Sequence, residues 1–351
     1  MSISERKSDH LDLAAKGDVG FERTTTLLEC VKLVHQALPE LATDAIDTSV
    51  TLFGKRLRAP LVIAAMTGGT PRAETINREL AAIAEARGYG FGLGSQRAMH
   101  LDARTTSTYR VREWAPTALV LGNLGVVQAK QMSTEEVRAL ANGVGADALC
   151  VHLNPAMEIV QPGGDRDFTG CAAALGRLAS DLGMPIVAKE TGCGLSARAA
   201  RLLKQAGIRH VDVSGAGGTS WVAVEMHRAK GEERDLGRAF REWGIPTAAS
   251  VAWTAKAGFD TVIATGGIAS GLDVARAIAL GAHAAGIARP VLQALTSGGR
   301  AAAERFLEGV EAELASAMLL VGAGSIADLR SAPRVVVGEL RFWLEQAFAD
   351  G

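Results

Sequence analysis

Eight short apolar runs, each ending in glycine or polar residues and most followed by a helical stretch, set the tightest limit on the fold. They are Pro60 to Ala65, Tyr89 to Leu93, Ala118 to Leu121, Ala148 to Leu153, Pro185 to Ala188, His210 to Val213, Thr261 to Ala264 and Ala284 to Ile287. Short runs of this kind read as strands buried on both faces. Strands that alternate with helices run parallel, because a parallel neighbour needs a crossover. Eight such units close into a (β/α)8 barrel, an α/β fold that builds its site at the C-terminal strand ends. Residues 1–351 are expected to form one barrel domain, with an N-terminal extension over 1–58 and an insertion after the sixth strand.

The flanks are less regular. Gly54 between two short runs in Thr51 to Arg58 predicts a hairpin ahead of the barrel. Residues 27–38 carry apolar positions at helical spacing. Residues 1–23 are polar, densest in charge at Arg6-Lys7-Ser8-Asp9-His10, and composition alone reads them as a solvated tail. Pro246 to Val251 competes as a ninth strand, but Thr247 is read as a helix start with Pro246 near its cap.

A chain that is 48% hydrophobic with a formal charge of -1 has ample material for a core. That charge gives no reason to expect nucleic acid or a membrane surface as partner. Cys30, Cys150, Cys171 and Cys193 are scattered, which suits reduced thiols of a cytoplasmic protein rather than a metal set. Met1 to Asp12 is charged and has no apolar signal core. No uninterrupted apolar run reaches the roughly 20 residues of a membrane span.

Chemistry collects at the strand ends. His152-Leu153-Asn154-Pro155-Ala156-Met157-Glu158-Ile159-Val160-Gln161 sets an imidazole, two carboxamides and a carboxylate where the fourth strand stops. Gly266-Gly267-Ile268-Ala269-Ser270-Gly271 and Gly286-Ile287-Ala288-Arg289 follow the last two strands, where barrels hold phosphate on backbone N–H groups. Lys189 ends the fifth strand. If it faces the mouth, alternation turns Glu190 toward the helices, and its charge can offset an anion such as the N1–C2 carbonyl edge of a reduced flavin. Arg6, Lys7, His10, Arg97 and His152 would clamp a diphosphate if three distant stretches converge.

With these motifs in order, the chain resembles the type 2, FMN-dependent isopentenyl diphosphate isomerases from Arg6 to about Leu329. The matching stretches are Arg6-Lys7-x-x-His10, Ala65-Met66-Thr67-Gly68-Gly69, Gly94-Ser95-Gln96-Arg97, Gly122-Asn123-Leu124-Gly125 and His152-Leu153-Asn154. Lys189-Glu190-Thr191-Gly192, Ser214-Gly215-x-Gly217-Gly218-Thr219-Ser220-Trp221 and Gly266-Gly267-Ile268 continue them. The resemblance implies FMN held by Ala65, Met66, Thr67, Ser95, Asn123, Lys189, Ser214 and Thr219. Its phosphate would lie against Gly266, Gly267, Ile268, Ala269, Ala288 and Arg289. Arg6, Lys7, His10, Ser95, Gln96, Arg97, His152 and Asn154 would bind a small-molecule diphosphate substrate, with Met157 at its reacting end. Glu158 would hold Mg²⁺, and His152, Asn154, Met157 and Glu158 would form the catalytic set. NADPH would reduce the flavin. The resemblance also implies a homo-oligomer in which the basic N-terminal segment completes a neighbour's site.

One departure stands inside the catalytic set. The family carries glutamine where this chain has Met157, and a thioether donates no hydrogen bond and accepts only weakly. Gly163 also stands where many members have glutamate. Met157 leaves open a slow isomerase, a relative with another phosphorylated or isoprenoid substrate, a variant altered at that position, and a non-catalytic flavin-binding paralogue. Two other barrel chemistries compete. A 2-hydroxy acid oxidase needs a histidine base near the sixth and seventh strands, and Ser214 to Trp221 contains none. A reading like inosine monophosphate dehydrogenase needs a loop cysteine, for which Cys193 is the candidate.

Overall fold

A computed structural model of the chain describes residues 3–346, with side chains from Arg6 onward. Met1, Ser2 and 347–351, part of the expected 1–351 domain, lie outside the described residues. The eight runs form β4 (Leu61–Ile63), β5 (Gly90–Gly92), β6 (Leu119–Gly125), β7 (Ala148–Leu153), β8 (Ile186–Glu190), β9 (His210–Asp212), β10 (Thr261–Ala264) and β11 (Ala284–Ile287). All pair in parallel, and β11 returns to β4 through Ala285↔Leu61, Gly286↔Val62 and Ile287↔Ile63, which closes the barrel. Most of these residues are buried on both faces, as a sheet walled by helices requires.

The helices start and stop where local chemistry dictates. Pro71–Arg87 begins at Thr70, whose hydroxyl accepts from Ala73 N–H, and ends at Gly88 in the left-handed region. Thr134–Gly143 opens on a Ser133/Glu136 capping box. Thr247–Lys256 is a helix with Pro246 at its cap, so no ninth strand forms. After β9 the insertion supplies the helices Trp221–Arg228 and Gly231–Phe240 before it.

The expected hairpin is β2 (Val50–Leu52) with β3 (Lys55–Leu57), paired Val50↔Leu57. Its Leu52 and Leu57 join Val62, Leu119, Ala148 and Ala284 in one apolar cluster. Those partners sit at or near the first residues of their strands, so the hairpin plugs the N-terminal end of the barrel. Function is left to the other end.

Two expectations for the flanks fail. Residues 27–38 do not form a helix. A short 3₁₀ turn, Leu28–Cys30, leads into β1 (Val31–Leu33), which pairs antiparallel with β12 (Arg334–Val336). The partner lies some 300 residues away, beyond the reach of local periodicity. The N-terminal stretch is not a solvated tail either. It is a helix, Ile3–Lys16, with Leu11 and Ala15 buried in the main core. Arg6, Lys7, His10, Leu11 and Ala14 recur at helical spacing, so the basic residues and apolar anchors share one side. Arg289 fastens the helix end through Nε to Ala14 O, 3.0 Å, and Nη2 to Gly17 O, 2.6 Å.

The chain then crosses the insertion. Glu242 accepts from the backbone N–H groups of Glu22, Arg23 and Thr24 at 2.9, 3.0 and 2.9 Å. Desolvation works to raise its pKa, but the three donors outweigh it and hold the carboxyl down to about 2. A folded pKa below the ordinary 4.5 stabilises the fold fully above pH 4.5, and that contribution is lost as pH falls toward 2. Glu242→Gln is therefore expected to lower Tm at pH 7 and to flatten the loss of stability between pH 4.5 and 2. Denaturant titrations across that window check this, and parallel acid profiles for both proteins would count against it.

Candidate functional site

A cavity of about 470 Å³ opens at the C-terminal ends of the strands, a size that suits a small ligand or cofactor. Its lining takes in Ala65, Met66, Thr67, Ser95, Asn123, Lys189, Ser214 and Thr219 from the barrel rim. Arg6, Lys7 and His10 reach it from the N-terminal helix, Arg97 from the segment after β5, His152 from β7 itself, and Asn154, Met157 and Glu158 from the segment after β7. Gly266, Gly267, Ile268, Ala269, Ala288 and Arg289 complete it after β10 and β11. Three distant stretches of basic residues thus do converge. The basic N-terminal segment lines its own chain's cavity.

Gln96 is not part of this lining. Fully buried, it donates to Leu140 O at 2.8 Å and accepts from Asn123 N–H at 3.0 Å. It braces the end of β6, which carries Asn123, and its place in a row of polar motif residues hid that role.

The phosphate loop is shifted from where glycine content alone puts it. The first amides of helix Gly271–Ala279 are already taken: Asp273 accepts from Ala269 and Ser270 N–H, and Glu313 from Gly271 N–H. Among the described residues, the N–H groups of Gly266, Gly267 and Ile268 make no hydrogen bond within the protein, and all three line the cavity. Gly266 and Gly267 have φ of 97° and 75°, and a Cβ on Gly218 would collide with the Gly267 backbone. Only glycine permits this close approach, which turns free amides inward as an anion site. Ala288 and Arg289 line the same cavity, while the Arg289 side chain is committed to the N-terminal helix. Free amides, a polar rim and the cavity's size fit FMN.

The opposite wall is basic. Lys7 Nζ donates to Ser95 O at 3.0 Å and to Tyr109 Oη at 2.5 Å. Burial, then the neighbouring Arg6 charge, brings Lys7 down to about 7. His10 bonds the buried Glu225 carboxylate at 2.7 Å, and Arg228 Nη1 binds the other Glu225 oxygen at 2.6 Å. His152 Nδ1 lies 2.9 Å from Asn123 Oδ1, and Asn123 Nδ2 donates to Leu93 O. The carboxamide therefore accepts, Nδ1 carries the proton, and Nε2 is bare while the ring is neutral. Burial, with the Lys189 and Arg97 charges, holds His152 down to about 3. To donate to a phosphate it must take up a proton with the ligand.

Glu158 is buried, with Oε1 accepting from Asn154 Nδ2 at 2.8 Å and Oε2 from Asp165 N–H at 2.8 Å and Gln161 Nε2 at 3.3 Å. A carboxylate has about four acceptor positions, so one remains. Among the described residues no three His, Cys, Asp or Glu side chains cluster for a metal. A single carboxylate fits Mg²⁺ that arrives with phosphate oxygens, not a protein cage. Met157 Sδ lies 3.9 Å from Asn154 Nδ2, within the cavity wall. Strand alternation holds at β8. Lys189 lines the cavity, whereas Glu190 turns to the following loop and accepts from Thr191, Cys193 and Gly194 N–H. Cys193 is outside the cavity lining, its thiol pushed up by burial and then by Glu190, so it is no poised nucleophile.

Residues 2–155 and 156–335 match the family described as FMN-dependent dehydrogenase. The isopentenyl-diphosphate delta-isomerase of Methanosarcina mazei is 45% identical over 351 residues, covering 98% of this chain and 95% of the relative. That of Halobacterium salinarum is 46% identical over 349 residues, covering 97% and 96%. Among solved structures, a mandelate oxidase mutant with a monooxide FMN adduct superposes with a TM-score of 0.66 at 20% identity, covering 93% and 95%. A lactate oxidase from Pediococcus acidilactici gives 0.69 at 16% identity, covering 95% and 93%. At that identity the likeness speaks for the fold alone.

A bound anion favours charged Lys7 and raises its pKa from about 7. Above pH 7 binding then requires proton uptake, and affinity falls by up to about tenfold per pH unit. Inorganic pyrophosphate binding, followed by calorimetry from pH 6 to 9, should weaken more steeply for this protein than for Lys7→Arg. The comparison removes the ligand's own titration. Equal slopes would place the titrating group elsewhere.

Proposed function

The chain belongs to the FMN-dependent dehydrogenase family, with isopentenyl-diphosphate delta-isomerases among its near-full-length relatives, and we propose that it converts isopentenyl diphosphate to dimethylallyl diphosphate on bound FMN. One observation carries the proposal. Two anion sites face one cavity, and Arg289 after β11 and His152 on β7 stand four strands apart in the eight-strand ring. One is made of free backbone amides, suited to a cofactor phosphate. The other combines Arg6, Lys7, Arg97 and His152 with the Glu158 carboxylate, suited to a diphosphate with Mg²⁺.

Reduced FMN would supply acid/base chemistry, with NADPH as its reductant. The reaction adds a proton at one terminal carbon and removes one at another, so no net redox change results. The protein's share is positioning. The basic wall fixes the diphosphate, and Lys189 faces the cavity from beneath. The buried Asn154–Glu158–Gln161 chain holds the metal end rigid. That 1–351 acts as one barrel domain, that it assembles as a homo-oligomer and that it works in the cytoplasm are parts of the same proposal. Four free cysteines are consistent with a reducing compartment. No helix among the described residues is long and apolar enough to cross a membrane.

The deciding experiment reconstitutes the protein with FMN, reduces it, adds isopentenyl diphosphate and Mg²⁺, and follows the product by NMR. Release of FAD instead of FMN on denaturation, or no flavin uptake, would sink the reading. Glu158→Gln is expected to weaken Mg²⁺-dependent diphosphate binding by about 10- to 100-fold while FMN stays bound. Unchanged Mg²⁺ dependence would remove Glu158 from the metal site.

Met157 favours a second reading, a diverged enzyme acting on another isoprenoid or phosphorylated substrate, or a non-catalytic paralogue. Its thioether lines the cavity between Asn154 and Glu158 where a carboxamide would donate and accept. Met157→Gln, similar in length, should raise turnover by about 10²-fold or more at equal FMN occupancy. Equal rates in the two proteins would make the carboxamide dispensable. Two inactive proteins that both hold reduced FMN would point to a different substrate.

A further inference from the structure

The barrel register sets three polar side chains in one row. His152 on β7 pairs with Lys189 on β8, and Lys189 pairs with Asp212 on β9. Lys189 and Asp212 are 8% and 5% exposed, and Lys189 Nζ lies 3.7 Å from Asp212 Oδ2. The ammonium also donates to Glu190 O at 2.8 Å. The other Asp212 oxygen accepts from Ser214 N–H at 3.2 Å and from the Thr265 hydroxyl. Beneath the row a void of about 10 Å³ sits inside the barrel. Lys189 lines both this void and the mouth cavity, whereas Asp212 lines only the void. The carboxylate thus stands behind the lysine as seen from the cavity.

No role described so far uses Asp212. Burying an acid and a base together yields little net stability over apolar packing, so stability alone does not explain the pair. Its effect on the cavity is definite. A lone buried lysine would present a full positive charge to whatever lies over it, whereas a lysine backed by a carboxylate presents a weaker field. The other titratable groups interacting with the pair are Cys150, His152 and, on the far face of β8, Glu190, which burial raises to about 7. Burial pushes the Cys150 thiol up to about 12, and burial with the neighbouring cations holds His152 down to about 3. Neither Cys150 nor His152 carries charge near neutral pH, and the Glu190 carboxyl turns away to the amides of Thr191, Cys193 and Gly194, so on the cavity side the field is set chiefly by Lys189 and Asp212.

We propose that Asp212 is the counter-charge that sets how strongly Lys189 acts on bound flavin, so that N1 of reduced FMN loses its proton at a higher pH than it would over an uncompensated lysine. The inference rests on the FMN reading above and deepens it. An acid/base role for reduced flavin depends on where its protons sit, and Asp212 controls one of them through Lys189. Asp212 is a positioning residue here, touching neither flavin nor substrate.

The test is an absorbance titration of the reduced, FMN-loaded protein, which reads N1 ionisation without turnover. Asp212→Asn is expected to lower the N1 pKa by about one unit, tenfold in the ratio of anionic to neutral flavin. A purely structural role would weaken FMN retention and leave that pKa in place. Should Asp212→Asn fail to hold FMN, the charge-free pair Lys189→Met/Asp212→Asn decides. It should titrate at or above the unmodified protein by no more than about one unit, because the carboxylate behind the lysine has already offset most of its field. A rise of more than a unit in that double variant, or an unchanged pKa in FMN-loaded Asp212→Asn, overturns the assignment. An unmodified protein that takes up no FMN overturns the flavin reading itself.

Discussion

The pairing of β11 with β4 is the constraint on which the rest depends. It leaves the barrel sheet without an edge, so all eight strands end on one rim and every loop after a strand faces the same space. Closure also fixes register. A slip of one residue at β8 would turn Lys189 outward and Glu190 inward. The row His152, Lys189, Asp212 exists because two successive pairings share one level.

Around that rim the chain uses buried polar chemistry sparingly, and most of it is partnered. Gln96 braces Asn123, and Asn123 orients His152. Glu225 and Arg228 hold His10, while Ser95 O and Tyr109 hold Lys7. Such groups are costly to bury alone and rigid once satisfied. What stays unsatisfied is correspondingly informative. The free amides at Gly266 to Ile268 and the last acceptor position on Glu158 leave polar positions open among the residues that line the cavity.

Much of this was legible in the order of residues. Strand positions, the hairpin, the helix at Thr247 and the facing of Lys189 follow from periodicity and turn chemistry, which are local. The convergence of Arg6, Lys7 and His10 on His152 followed only from the resemblance, because no spacing rule joins residues so far apart. The helix Ile3–Lys16 was missed because its charges outweighed Leu11 and Ala15 in composition. The β1–β12 pair was missed because a strand of three residues owes its conformation to a distant partner. Gln96 was misplaced because residue type does not say whether a polar group turns to the ligand or back to the protein. The capping of Ala269 to Gly271 by Asp273 and Glu313 likewise required coordinates.

The β1–β12 pairing and the Arg289 clasp carry a consequence for how the molecule is born. Synthesis runs from the N-terminus, yet β1 finds its partner only at Arg334 to Val336, and the N-terminal helix is fastened by Arg289, the first residue of the helix that follows β11. The barrel itself cannot close until β11 has emerged to meet β4. The first helix therefore leaves the ribosome with its basic residues but without its dock. It waits through nearly the whole of translation, while the intervening βα units fold and offer only part of an interface. The ligand cavity is among the last things this chain makes, so a truncated or stalled product carries the anion-binding residues without the enclosure that gives them meaning.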